Sequence, residues 1–163
     1  MAFRIAYFKV HYPECFYATY FSIRAKGNFN YSLMCKGREK VQYEIESLEE
    51  AQSLTTKEKD TLTVLEVVRE MYARGINFVP MDLYQSDATK FLVTPDGILP
   101  PLNSLQGLGD TVAFNILRAR DEGEFLSLEQ FRERTKASKT IVTLMKENNM
   151  LPGIPETSQL SFF

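Results

Sequence analysis

Residues 105–120 read Leu105-Gln106-Gly107-Leu108-Gly109-Asp110-Thr111-Val112-Ala113-Phe114-Asn115-Ile116-Leu117-Arg118-Ala119-Arg120, and the fold turns on this stretch. Two glycines around one leucine permit a tight turn whose backbone N–H groups point outward. Asp110 or Thr111 then opens a helix with a partly positive N-terminal end. Such a turn can hold an anion. Leu108 points inward as its anchor, while Ala113, Ile116 and Leu117 form a packing face on which alanine lets a second helix come close. One reading is a phosphate cradle built from Gly107, Leu108, Gly109 and Thr111, with Arg118 or Arg120 downstream, that grips nucleic-acid backbone without reading bases. The other is a helical corner that merely uses two glycines. The spacing favours the cradle. It does not extend to the dinucleotide-binding pattern, because Thr111 and Val112 stand where a third glycine would fall. Asp110 is the awkward member, since its carboxylate can cap the amides that a phosphate would use.

Toward the C-terminus the chain reads as short helices as far as Asn149. A second turn, Thr135-Lys136-Ala137-Ser138-Lys139-Thr140, precedes the amphipathic run Ile141, Leu144, Met145. Ser138, Lys139 and Thr140 offer hydroxyls and an ammonium to a phosphate; equally, they are a capped helix start with a solvated lysine. From Leu151 the chain reads as a tail. Its last five residues, Gln159-Leu160-Ser161-Phe162-Phe163, place a leucine and two aromatics in a polar context, and such side chains want a pocket.

Toward the N-terminus, Thr94-Pro95-Asp96-Gly97 is a turn between a strand over 90–93 and the returning Ile98-Leu99, stopped by Pro100 and Pro101. Phe78 to Tyr84 reads as extended. Gly75 stops a helix that Thr55 and Glu58 open as a capping box, with Leu62, Leu65, Val68 and Met71 on its apolar face. Val41, Ile45 and Leu48 predict one amphipathic helix over about 32–52. Residues 2–25 predict two helices separated at Pro13. Their aromatics, Tyr7, Phe8, Tyr12, Phe16, Tyr17, Tyr20 and Phe21, lie nearly all round, the pattern of helices buried on most sides. No capping residue precedes Ala2, so the chain is expected to begin mid-structure. The expected fold is mainly α with a small β-hairpin: a helical region over 1–75, a hairpin-containing domain over 76–155, and a flexible tail over 156–163.

Composition narrows the function classes. The net charge of −2 hides an asymmetry: residues 1–40 carry seven basic and two acidic groups (+5), residues 41–100 five and eleven (−6), and residues 101–163 seven and eight (−1). The electropositive end hints at a polyanion. Among its basic residues, Arg24, Lys26, Lys36, Arg38 and Lys40 remain open as to which approaches a nucleic acid. Cys15 and Cys35 are expected as free thiols in a reducing, cytoplasmic setting. One histidine and two distant cysteines do not make a zinc site of usual spacing. Charges interrupt the apolar stretch from Ala2 to Ala25, which argues against a membrane span or signal peptide. Asp121, Glu122 and Glu124 follow the first turn, where a nuclease or glycosylase would need a carboxylate, but they read as solvated loop charges. A free-standing protein-interaction adaptor is a further alternative.

The Gly107–Gly109 stretch resembles the helix-hairpin-helix motif of DNA repair and replication proteins, which grips duplex DNA through such a turn. Asp110 departs from that family's neutral or basic preference. The terminal Gln159, Leu160, Phe162 and Phe163 resemble the bacterial sliding-clamp-binding peptide, in which the glutamine makes polar contacts and the apolar residues fill a groove. Taken in order, Ala6-Tyr7-Phe8-Lys9-Val10-His11-Tyr12-Pro13, Asp82-Leu83-Tyr84-Gln85-Ser86-Asp87-Ala88-Thr89, the hairpin, the glycine turn and the terminal peptide resemble the C-terminal end of the PolC-type alpha subunit of bacterial DNA polymerase III. Relatives tend to have glycine where this chain has Asn149, and asparagine tolerates the same left-handed conformation. The resemblance implies a distal fingers region over 1–75 and a duplex-binding domain over 76–155. Primer–template duplex, the sliding clamp and the remainder of the polymerase are the implied partners. The parent enzyme would use magnesium at palm aspartates that this chain lacks, so no catalytic residue and no cofactor are expected here.

Overall fold

The computed structural model describes residues 1–51 and 53–157. Among them α1 (Ala2–His11) and α2 (Pro13–Ile23) are separated at Tyr12, because Pro13 lacks the N–H that would continue α1 and suits the first position of α2. Then follow α3 (Tyr31–Met34), α4 (Arg38–Glu49), α5 (Thr56–Ala73), β1 (Leu92–Thr94), β2 (Gly97–Leu99), a 3₁₀ turn (Leu102–Ser104), α6 (Asp110–Asp121), α7 (Leu128–Thr135) and α8 (Lys139–Glu147). The expected class, mainly helical with one small hairpin, is the observed one.

Local signals account for the boundaries. In α5 the Thr55 hydroxyl accepts from the Glu58 N–H, and the Glu58 carboxylate accepts in return from the Thr55 N–H at 2.7 Å. Gly75 ends the helix at φ +79°; its N–H donates to the Tyr72 carbonyl, and that of Ile76 to the Met71 carbonyl. Asn149 does the same for α8 at φ +55°, with the Met150 N–H donating to Met145. The hairpin pairs Leu92 with Leu99 and Thr94 with Gly97. On its open side the Ile98 N–H donates to the Asn77 carbonyl and the Ile98 carbonyl accepts from Val79, so 77–79 runs beside β2; the extended segment expected as far as Tyr84 gives way to a turn at 83–85, where the Asp82 carboxylate accepts from the Tyr84 and Gln85 N–H groups.

Three expectations need correction. The run 32–52 is two helices, because Cys35–Gly37 breaks it and Gly37 sits at φ +107°. The aromatic N-terminal stretch is only half buried. Tyr17, Ala18 and Phe21 of α2 are in the core, but no residue of α1 is, and Phe3 is 82% exposed. The reason is that α1 rests on α2 and is held to α5 by polar contacts. Lys9 pairs with Glu70 at 2.8 Å, and the Arg74 guanidinium donates to the Lys9 carbonyl at 2.8 Å. Apolar residues on every face give a helix the capacity for burial without supplying a partner. Finally, the start of the tail is stitched down: Leu151 is buried, Ile154 packs on the core, and the Pro155 and Glu156 carbonyls accept from the Leu128 and Glu129 N–H groups.

The core falls into two clusters. The first joins α2, α4 and α5 through Tyr17, Phe21, Ile45, Leu65 and Met71, and takes Phe91 and Ile98 from the hairpin region. Phe21 lies 5.5–5.6 Å from the ring centroids of Phe29, Phe78 and Phe91, separations at which aromatic pairs add to area burial. The second gathers Leu102, Leu105, Leu108, Ile116, Phe131 and Met145 with Tyr31 from the first half. Each half therefore lends side chains to the other's core.

Candidate nucleic-acid interface

Leu105 and Leu108 are buried on either side of the first turn, and burying a leucine stabilises a fold by about 1.5–3 kcal/mol. With those anchors fixed, Gln106, Gly107 and Gly109 face solvent. Gly107 needs its glycine for the backbone, at φ +88°. Gly109 does not. It lies at φ −75°, ψ 163°, and a Cβ built on it meets nothing within 4 Å. The fold would therefore accept a side chain at 109 without strain or clash.

The N-terminus of α6 is open. Gly109 is its N-cap and provides no side-chain cap. Among the described residues, the N–H groups of Asp110, Thr111 and Val112 have no protein acceptor, and the ladder begins with Ala113 N–H to the Gly109 carbonyl. In α7, by contrast, Leu128 and Glu129 donate to tail carbonyls and Gln130 to the Ser127 hydroxyl at 3.1 Å. Helix ends need such partners, from protein, water or ligand.

Asp110 does not cap its own helix. Its Oδ1 accepts from Asn103 Nδ2 at 2.8 Å, and its Oδ2 pairs with Lys26 Nζ at 3.2 Å. The hydrogen bond from Asn103, and then Lys26, hold its carboxyl below the usual aspartate range. Lys26, Gly27 and Gln106–Gly109 line one hollow of about 330 Å³ between the halves of the chain. Sequence reading placed Lys26 in the basic N-terminal group but gave no sign that it reaches α6, since 84 positions separate it from Asp110.

The second turn is built differently. Lys136 takes the left-handed conformation at φ +62°, and Thr135 is fully buried. Ser138 caps α8, its hydroxyl accepting from Ile141 N–H at 3.3 Å, while Ser138, Lys139 and Thr140 remain exposed. The two turns share one support. Asn115 of α6 donates to the Thr135 carbonyl at 3.1 Å, and a Cβ on Gly107 would touch Leu144 of α8 at 3.9 Å.

Of the downstream arginines, Arg118 is exposed, but Arg120 is committed inward and donates to the Leu83 and Ser86 carbonyls at 3.0 and 2.7 Å. It holds the 83–86 loop and is not free for a phosphate. Gln159, Leu160, Phe162 and Phe163 lie outside the described residues. No helix among those described is long and apolar enough to cross a membrane. Among the same residues no three His, Cys, Asp or Glu side chains come together in a group that could hold a metal ion.

Comparison with known proteins agrees with this geometry. The profile of the helix-hairpin-helix motif matches residues 75–156. The whole chain aligns with "DNA polymerase III PolC-type" from Caldanaerobacter subterraneus subsp. tengcongensis at 52% identity over 164 residues, 12% of that protein's length. It aligns with the protein of the same name from Clostridium perfringens at 49%, covering 11%, and from Thermotoga maritima at 44%, covering 12%. In each case all of this chain is matched, and it spans about an eighth or less of the relative. The chain therefore belongs to the helix-hairpin-helix family and is homologous along its full length to one stretch of PolC-type DNA polymerase III.

Proposed function

We propose that this chain is a non-catalytic part of a cytoplasmic replicative polymerase, which holds newly made duplex DNA by its phosphates and tethers the enzyme to its sliding clamp. Residues 1–75 are the distal fingers region and 76–155 the duplex-binding domain. The Gly107, Leu108, Gly109 and Thr111 turn takes one phosphate on the open α6 amides, and Ser138, Lys139 and Thr140 take a second. Gln159, Leu160, Phe162 and Phe163 engage the clamp. The observation that carries the reading is the match of residues 75–156 to the helix-hairpin-helix profile, whose glycine turn leads into the open end of α6. Backbone amides recognise phosphate and carry no base information, so the grip is sequence-independent, as a polymerase needs.

The test is fluorescence anisotropy of this chain with labelled 20-base-pair duplexes of two unrelated sequences across a series of KCl concentrations. Log affinity should fall linearly with log salt, with a slope of about −0.9 for each phosphate neutralised, and both sequences should behave alike. Binding that ignores salt, or no binding at the lowest salt, overturns the reading and favours a protein-interaction module.

A further inference from the structure

We infer that Lys26, carried on the first half of the chain, supplies a cation to the same phosphate that the α6 amides hold, so that the site is built from both halves. This rests on reading the Gly107–Gly109 turn as a phosphate cradle. Three observations place the ammonium there. Lys26 Nζ lies 3.2 Å from the carboxylate of Asp110, the first residue of α6, on the same turn as the open amides. Lys26 lines the hollow that Gln106, Gly107 and Gly109 also line. Its side chain is 60% exposed, and an ammonium has three donors, so the pairing with Asp110 leaves donors for a second oxygen.

The arrangement also explains how an aspartate is tolerated at a phosphate site. An aspartate there can turn back onto the helix amides. Asn103 and Lys26 hold one carboxylate oxygen each, which draws the group off the amides and leaves them open. Lys26 also offsets the negative charge that would otherwise repel an incoming phosphate. Asp110 is then a positioning residue, which keeps a long, mobile lysine aimed at the turn before DNA arrives.

The experiment is a double-mutant cycle on the full chain, using anisotropy with a 20-base-pair duplex across KCl concentrations. Lys26→Gln should weaken binding about 5- to 10-fold at low salt and reduce the salt slope by about one, uniformly across sequences. The decisive comparison is made in the Asp110→Asn background. There a direct contact predicts that Lys26→Gln still lowers affinity and slope, by less than in the unmodified chain because Asp110 no longer aims the lysine. If Lys26 only neutralises Asp110, the change becomes silent, and that result overturns the inference. Lys26→Arg should restore near-normal binding. Thermal melts of all variants report folding separately, and both side chains are exposed enough for little change. Gly109→Ser is the separate arm. If it weakens binding while Lys26→Gln is silent with Asn at 110, the cradle stands and the inference falls. If Gly109→Ser leaves binding intact, the cradle falls and the inference with it.

Discussion

Replacing Gly109 with serine should stabilise the protein and weaken its hold on DNA. The backbone at 109, φ −75° and ψ 163°, nearly matches that of two N-caps in the same molecule: Ser138 at −71° and 161°, and Thr55 at −67° and 161°. In both, the side-chain oxygen accepts the N–H three residues on, each at 3.3 Å. A serine at 109 has open space for its Cβ and would accept from Val112 in the same way. The better cap is worth a few tenths of a kcal/mol over glycine, and removing glycine's freedom from the unfolded chain about 0.4–1 kcal/mol. Together these amount to about 1 kcal/mol, or a rise of about 2–4 °C in Tm for a chain of this size. The new side chain occupies the approach to the turn and takes one amide. Losing one hydrogen bond to a charged oxygen costs about 1.5–3 kcal/mol, or about 10- to 100-fold in affinity. Thermal melting and duplex anisotropy on the same preparation should therefore move in opposite directions. A raised Tm with unchanged affinity would mean that the open amides face water alone, and would refute the argument. Gly107 cannot serve for this purpose, because its φ of +88° makes any substitution strain the fold as well.

Gly97→Ala should destabilise by about 2–3 kcal/mol in denaturant melts: φ is +145°, and the new Cβ would sit 2.3 Å from the Asn77 carbonyl oxygen that accepts from Ile98. A loss below about 0.5 kcal/mol would mean that the 77–79 segment does not pack against β2. Glu70 accepts from Lys9 and Tyr17, and although burial pulls its carboxyl up, these bonds bring it below the ordinary value of 4.5. Its folded value is the lower one, so its stabilisation is present above pH 4.5 and is lost as acidification passes through the folded value. Glu70→Gln should cost about 0.5–1 kcal/mol at pH 7, after allowance for solvent screening, and progressively less as acid carries the carboxyl through its folded value; a cost that does not fall with pH would refute the pairing. Deleting Gln159 to Phe163 should abolish capture by immobilised sliding clamp while leaving duplex affinity unchanged, and retained capture would sink the tail assignment.

The parts of the fold legible in the sequence were those written in local chemistry. The Thr55 and Glu58 box, the stop at Gly75, the Thr94–Gly97 turn and the inward Leu108 each depend on a few consecutive residues, and each stands where the spacing places it. What failed depended on partners. The aromatics of α1 carry no mark distinguishing a buried helix from one whose apolar faces lie open, and Gly37, the one residue that could have divided 32–52, sat inside a persuasive apolar period. The site divides likewise. The turn is local and could be read, but its pairing with Lys26, the withdrawal of Asp110 by Asn103, and the diversion of Arg120 to the 83–86 carbonyls are tertiary facts with no local signature.

The treatment of helix ends ties these features together. Side chains cap α5 (Thr55), α7 (Ser127, with the 155–156 carbonyls) and α8 (Ser138), whereas α1 to α4 and α6 have no side-chain cap, and Gly37 stands at the N-cap of α4 as Gly109 does at α6. What distinguishes the open end of α6 from that of α4 is its place in the segment that the helix-hairpin-helix profile matches, with Asp110 turned onto Asn103 and Lys26 and not onto the amides. Water completes such exposed amides as readily as a phosphate does, so the Gly109→Ser comparison decides which of the two they serve.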